Sequence, residues 1–353
     1  MPDAIRKRLA LSLAFALALL LAAAPIPRTA RAQAATVSEL DPGGVGVSAY
    51  GGWAAWTHAG ASTGEYSLIV RSPDGSVFPA PVPPSNGPFD VELGPGTTGA
   101  EAVFQRCSEP SRDLGCDIYE LALTAPSATQ QELAIPGGGS KFMPAVWKQR
   151  LAFLRTNPGG GERRPDELYV ETIGSGPPRA LALPVSRGTR HSQGGFWPSG
   201  LTGAITALTI SSSHVAYVTS NVVGSFGETT LWYQPIGGRP ELIDQETSGA
   251  GNVCPPAFLS PVVSGGWLYA YLHACDPSAN PHFDRLTRYR GGQVQRAKYT
   301  FIRFGDDELT SVVPDGSGVD WDDEGVRRLS SVPWQRIKPP VPETFCTRSD
   351  PFC

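Results

Sequence analysis

The residues with chemistry to offer are five histidines, two acidic runs, one arginine-rich stretch and one aromatic loop. His58, His191, His214, His273 and His282 lie far apart in the chain. There is no Gly-x-Ser-x-Gly elbow and no His-Glu-x-x-His pair, so the local motifs of α/β-type hydrolases and of zincins are missing. A triad assembled from distant segments stays open, because triads are defined by geometry rather than spacing. His214 and His273 fall in strand-like runs, where a hydrogen-bonded structural role is expected.

The acidic runs are Asp306-Asp307-Glu308 and Asp320, Asp322, Asp323 with Glu324. Calcium needs several carboxylate and carbonyl oxygens converging on one point, which loops can supply. The Asp-x-Asp-x-Asp-Gly spacing is absent, and Asp322-Asp323-Glu324-Gly325 has the composition of a hairpin turn. Asp320, Asp322 and Asp323 are therefore calcium candidates set against a solvated turn, and no other cofactor is expected.

The stretch from Arg285 to Phe304 interleaves Arg285, Arg288, Arg290, Arg296, Lys298 and Arg303 with aromatics. On strands these cations either form a face for an acidic polymer or guard a sheet edge against pairing, and the second is the expectation. The loop Val185–Gly200 offers Arg190, His191, Phe196 and Trp197 among glycines. Those four are the candidate ligand-binding residues, with Trp197 either an exposed anchor or a plug folded back into the body.

The elements that position these residues follow from composition. Forty Gly, 34 Pro and 18% charged residues suit many short strands joined by tight turns rather than long helices. An apolar run recurs near Trp53, Val103, Phe153, Tyr217, Tyr269 and Trp321, a spacing of about 50 residues where compact propeller blades take ~40 to 45. After most of them come a loop, a second strand with aromatic or aliphatic residues, and a Gly or Pro stop. Such a unit cannot bury its own apolar face, so the copies must stack or close into a ring. The fold class expected is all-β: a six-bladed β-propeller of four-stranded antiparallel blades, with seven blades the alternative. The last repeat is short, and Ala35–Asp41 is an otherwise orphaned strand. An open edge is an aggregation hazard, so the N-terminal strand is expected to complete the last blade and close the ring.

The segments "AVWKQRLAFLRTNPGGGERRPDELYVETIGSGPPRALALP" and "ISSSHVAYVTSNVVGSFGETTLWYQPIGGRPELI" resemble the WD40-like repeats of TolB-type six-bladed propellers of exported bacterial proteins. The family's Ser-Pro-Asp-Gly turn before the inner strand is replaced here by Lys148-Gln149-Arg150, Ser212-Ser213-His214 and Gly265-Gly266. Ser72-Pro73-Asp74-Gly75 falls after a strand instead. The resemblance implies a fold and a propensity for protein partners, not a reaction.

Arg6, Lys7 and Arg8, an apolar run from Leu9 to about Ala24, and the small-residue choices Ala30-Arg31-Ala32 and Ala32-Gln33-Ala34 have the three-part form of a signal peptide. The expected organisation is a signal peptide over 1–34, a propeller over 35–335 and a Pro-rich, disulfide-tethered tail over 336–353. Six cysteines in an exported chain read as disulfides, with nearest-neighbour pairing Cys107–Cys116, Cys254–Cys275 and Cys346–Cys353. No Cys-x-x-Cys pair favours zinc. A formal net charge of -4 does not recommend nucleic acid as a partner. The expectation is a secreted or envelope-exterior monomer, without a membrane-spanning segment, that binds a protein or saccharide through its loops without catalysis. A propeller hydrolase or lyase acting in the central funnel is the alternative, and the lining of the channel discriminates the two.

Overall fold

The computed structural model describes residues 37–60, 64–110, 114–123, 129–156, 167–184, 204–223, 226–247, 257–273, 285–298, 311–315, 318–322 and 325–338. These hold 25 β-strands and no α-helix. After β1 (Val37–Asp41), the first blade is β2 (Gly44–Tyr50), β3 (Trp53–Ala59), β4 (Tyr66–Arg71) and β5 (Val77–Pro79). The second is β6 (Glu92–Pro95), β7 (Ala100–Glu109), β8 (Leu114–Ala122) and β9 (Gln131–Glu132). The third is β10 (Lys141–Trp147), β11 (Arg150–Arg155), β12 (Glu167–Thr172) and β13 (Arg179–Ala180). The fourth is β14 (Ala204–Ile210), β15 (His214–Val223), β16 (Phe226–Pro235) and β17 (Glu241–Thr247). The fifth is β18 (Ala257–Ser264), β19 (Trp267–His273), β20 (Arg285–Arg290) and β21 (Gln293–Ala297). The sixth is β22 (Val312–Asp315), β23 (Gly318–Asp322) and β24 (Val326–Leu329), and β1 is its fourth strand, antiparallel to β24. Ring closure by the N-terminal strand, expected from the orphaned segment before Asp41, is what the sheet order shows.

Each blade is an antiparallel meander, and its first strand touches the first strands of the blades before and after it, from β2 round to β22 and back to β2. Six first strands therefore surround one axis. Each second strand lies between two neighbouring blades and is buried on both faces, which is why it reads as a near-continuous apolar run. Trp56, Phe104, Phe153, Tyr217, Tyr271 and Trp321 are buried members of these strands. The outer strands have little to cover them, and β5 leaves Val77 and Phe78 exposed.

The core is divided among the seams between blades. One cluster joins blades one and two around Phe89 and Phe104, another joins three and four around Leu154 and Tyr217, and a third closes blade six onto blade one around Trp56, Val313 and Val326. Where backbones of neighbouring blades meet, side chains must vanish. A Cβ on Gly94 in β6 would stand 2.0 Å from the Val146 carbonyl oxygen of β10, so only glycine fits that approach.

The Cys107–Cys116 disulfide joins β7 to β8 at a cross-strand pair, as the spacing predicts. Cys254, Cys275, Cys346 and Cys353 lie outside the described residues. One strand was not expected: β25 (Trp334–Ile337) runs antiparallel to β21 and adds a fifth strand to the fifth blade, so sheet pairing continues through Arg336 and Ile337. Its anchor is Trp334, which packs edge-on to Tyr269 and takes the Arg288 guanidinium 4.0 Å from its ring centre.

Candidate functional site

The ring axis holds a cavity of about 290 Å³, lined from the first strands of all six blades, the residues just before them, and Ser220 of β15. Local backbone irregularity shapes it. Strand register slips between Val45 and Ser48 in β2, Phe142 and Ala145 in β10, Ile205 and Ala207 in β14, and Leu259 and Val262 in β18. These are β-bulges, which bend a strand and re-aim its groups. Gly46, Met143 and Ser260 at three of them have left-handed backbone, with φ of 66°, 51° and 42°. For Met143 and Ser260 that conformation costs on the order of 1 kcal/mol each, a strain that persists only where neighbours enforce it. The enforcement comes from the preceding blade: the Met143 N–H donates to Gln105 Oε1 at 2.7 Å, and the Gly46 N–H donates to Asp322 Oδ2 at 2.7 Å.

Of the two charged residues that line this cavity, Asp90 and Glu92, the second is the less exposed. It begins β6, and its carboxyl crosses the axis: Ser48 of blade one donates to Oε2 at 2.8 Å, and Thr209 of blade four donates to Oε1 at 3.1 Å. Ser48 Oγ in turn accepts the Leu93 N–H at 2.9 Å. Part of the Glu92 surface faces the cavity, yet protein surrounds the group closely enough that burial pushes its carboxyl up to about 8. The two hydroxyls oppose that rise and the nearby Asp90 charge adds to it. Asp90 is exposed and lines the same cavity.

A carboxyl whose folded pKa lies above its unfolded value holds a proton in the fold that the unfolded chain has released. Stability from this site is therefore full below about pH 4.5 and falls as pH rises toward 8, by at most ~1.4 kcal/mol per pH unit. Denaturant titrations of wild type and Glu92→Gln between those limits should diverge, the variant keeping a flatter profile. Parallel profiles would show that Glu92 is not buried in this way.

The residues singled out by sequence have other positions. Arg190, His191, Phe196 and Trp197 lie outside the described residues, as do Asp323, Arg303 and His282. Asp320 and Asp322 are interior residues of β23. Asp320 is fully buried and accepts from Arg71 Nη1 and Nη2, at 3.1 and 3.0 Å, and from Arg328 Nη1 at 3.0 Å. Asp322 accepts from Ser311 Oγ, the Ser311 N–H and the Gly46 N–H. Those oxygens serve the seam between blades six and one, which is where the acidic run differs from the solvated turn expected of it.

His58 sets Nδ1 3.0 Å from Asp41, which also accepts Trp56 Nε1–H at 2.6 Å. His214 stacks on Tyr233 at 4.3 Å, and its partial burial lowers its pKa. The arginine-rich stretch is consumed in packing: Arg285 pairs with Glu246, Arg288 lies between the Trp267 and Trp334 rings, and Arg290 covers Trp267. Sequence reasoning passed over Glu92. Its signal is an acid flanked by Val91 and Leu93, an alternation that marks a carboxyl carried into a strand.

Fold and cavity together define an all-β, six-bladed propeller with a central cavity that Glu92 lines. The chain matches no protein-family model and no curated protein. Among solved structures it is similar to the β-propeller domain of the Trilobed protease from Pyrococcus furiosus, at 10% identity and a TM-score of 0.43, covering 86% of this chain and 85% of that one. It is similar to the tricorn protease at 11% identity and a TM-score of 0.48, where 86% of this chain matches only 27% of that one. Kuenenia stuttgartiensis hydrazine synthase is similar at 10% identity and a TM-score of 0.41, covering 84% and 77%. At such identity the likeness is one of fold.

Proposed function

We propose that this chain is an exported, non-catalytic propeller scaffold that binds a protein or saccharide partner through its loops and the cavity they surround. The observation that carries the reading is the cavity itself. Strained bulges held by neighbouring blades fix its shape, and its lining pairs apolar walls with a few hydroxyls, the composition of a preformed binding site. Export is supported by the three-part N-terminal segment and by the Cys107–Cys116 bridge, which suits an oxidising compartment. The TolB-like resemblance of the repeats adds a propensity for protein partners. Among the described residues no helix is long and apolar enough to cross a membrane.

A second reading, a hydrolase or lyase working in the central funnel, is favoured by Glu92, because a carboxyl that keeps its proton near neutral pH is what a general acid requires. Affinity capture from the envelope and medium of the producing cell, together with a glycan array, tests both. The binder reading expects a partner retained by wild type and lost in Trp197→Ala or Glu92→Gln with unchanged melting. Turnover of chromogenic peptides or glycosides by wild type and not by Glu92→Gln would overturn it in favour of the enzyme.

A further inference from the structure

We infer that the cavity on the ring axis takes an alkylammonium group, the chemistry of a lysine side chain on a protein partner, with its charge against Glu92. The inference rests on the partner-binding reading and names what the partner inserts. Three observations lead to it. The first is charge: among the described residues lining the cavity, Asp90 and Glu92 are charged and no lysine, arginine or histidine is present. The hydrogen-bond partners of Glu92 are hydroxyls, from Ser48 and Thr209, and none is a cation. A buried acid in that setting gains most from a mobile cation, since an opposite charge within a few ångströms restores its ionised form.

The second is shape. About 290 Å³ is at the lower end of what drug-sized ligands occupy, near ~300 Å³, so it admits one long side chain rather than an oligosaccharide. The third is the mix of groups in the lining. Val91, Leu208 and Val262 supply apolar wall, Glu92 stands among them half-buried, and Asp90 is exposed on the same lining. An apolar stem with a charged head matches that mix, with Asp90 favouring the approach of a cation.

Proton balance gives the inference its signature. Below the Glu92 transition the free carboxyl carries a proton, and the ammonium displaces it: the acid O–H is given up to solvent, and an N–H···O contact to the carboxylate replaces it. The amine stays charged throughout, its own pKa being ~10.4. Affinity should then rise about tenfold per pH unit from roughly pH 6 to 8, with one proton released per site.

The test is calorimetric titration of the full mature chain with n-pentylammonium at about pH 6, 7 and 8 in buffers of unlike ionisation enthalpy, with pentan-1-ol as the uncharged match. Expected are saturable one-site binding of the ammonium, proton release at the lower pH values, and at least tenfold weaker binding to Glu92→Gln. Equal binding of the alcohol, no proton release, or no saturation would overturn the inference. Proton release by the wild-type protein reads Glu92 directly, so the result stands even if the variant folds poorly. A captured partner that is a saccharide, or one whose binding survives addition of n-pentylammonium, would leave the scaffold reading intact and refute this one.

Discussion

Asp320→Ala is expected to lower the unfolding free energy by ~3–5 kcal/mol. Asp320 has no exposed surface, Arg71 keeps only 5% of its side chain accessible and Arg328 29%. Arg71 comes from β4 of the first blade, Asp320 and Arg328 from β23 and β24 of the sixth. The three side chains therefore form an ionic bond across the seam where the ring closes. The desolvation of such a triad roughly offsets its Coulombic attraction, so its presence says little about net stability. Its interruption says more, because buried Arg71 would lose the carboxylate that it meets through two hydrogen bonds. Urea denaturation at neutral pH measures the loss. A change under ~1 kcal/mol would mean that water reaches Arg71 in the variant and that the seam is looser than the distances of 3.0 and 3.1 Å imply. Arg328→Ala, which removes the more exposed partner, should cost about 1 kcal/mol. A larger loss there than at Asp320 would reverse the assignment of the buried charge.

How much of this was legible depends on whether the controlling contacts are local. The second strands were legible because a strand covered on both faces must be apolar throughout, as in "RLAFLR" and "WLYAYLH". The turns before them were legible as departures from Ser-Pro-Asp-Gly: Lys148, Ser212-Ser213 and Gly265-Gly266 each fall between the first and second strand of a blade. The Cys107–Cys116 bridge was legible since its partners sit nine residues apart on one hairpin.

What escaped the sequence is held together over long separations. Asp320 reads as one more acid in a turn-like run until Arg71, 249 residues earlier, is placed against it. Glu92 reads as an ordinary strand-edge acid until Ser48 and Thr209 arrive from two other blades. The return of the chain to blade five was hidden by Pro339 and Pro340, which follow Trp334–Ile337 so closely that the whole end read as a tail. Proline removes a ladder donor only at its own position, and the four residues before it pair in full register with Val294–Ala297. In each case the chemistry of the single residue was visible and its partner was not.

A chain beginning at Pro42 rather than Val37 is expected to lose about 5 kcal/mol and to melt with reduced cooperativity. The estimate sums the ladder that β1 forms with β24 and the hydrogen bonds of Asp41, at ~1 kcal/mol net for each. Val37, Ser38, Glu39 and Asp41 pair with Leu329, Arg328, Arg327 and Val326. Asp41 then reaches over to blade one, where it accepts from Trp56 Nε1 at 2.6 Å and from the Gly43 N–H at 2.9 Å, with His58 Nδ1 at 3.0 Å. Truncation removes the outer strand of blade six and leaves the Trp56 indole N–H without its acceptor in the closing seam. The backbone of β24 becomes an open edge, the feature that sheets must cover to avoid pairing with other chains. Calorimetry against the chain beginning at Val37 tests the melting, and light scattering at increasing concentration tests the edge. Asp41→Ala separates the two contributions: it should lose the Trp56 and His58 bonds, about 2 kcal/mol, while keeping the ladder and staying monodisperse. A truncated chain that melts like the longer one would show that the ring is held by the Trp56, Val313 and Val326 packing alone, with the N-terminal strand only laid along its side.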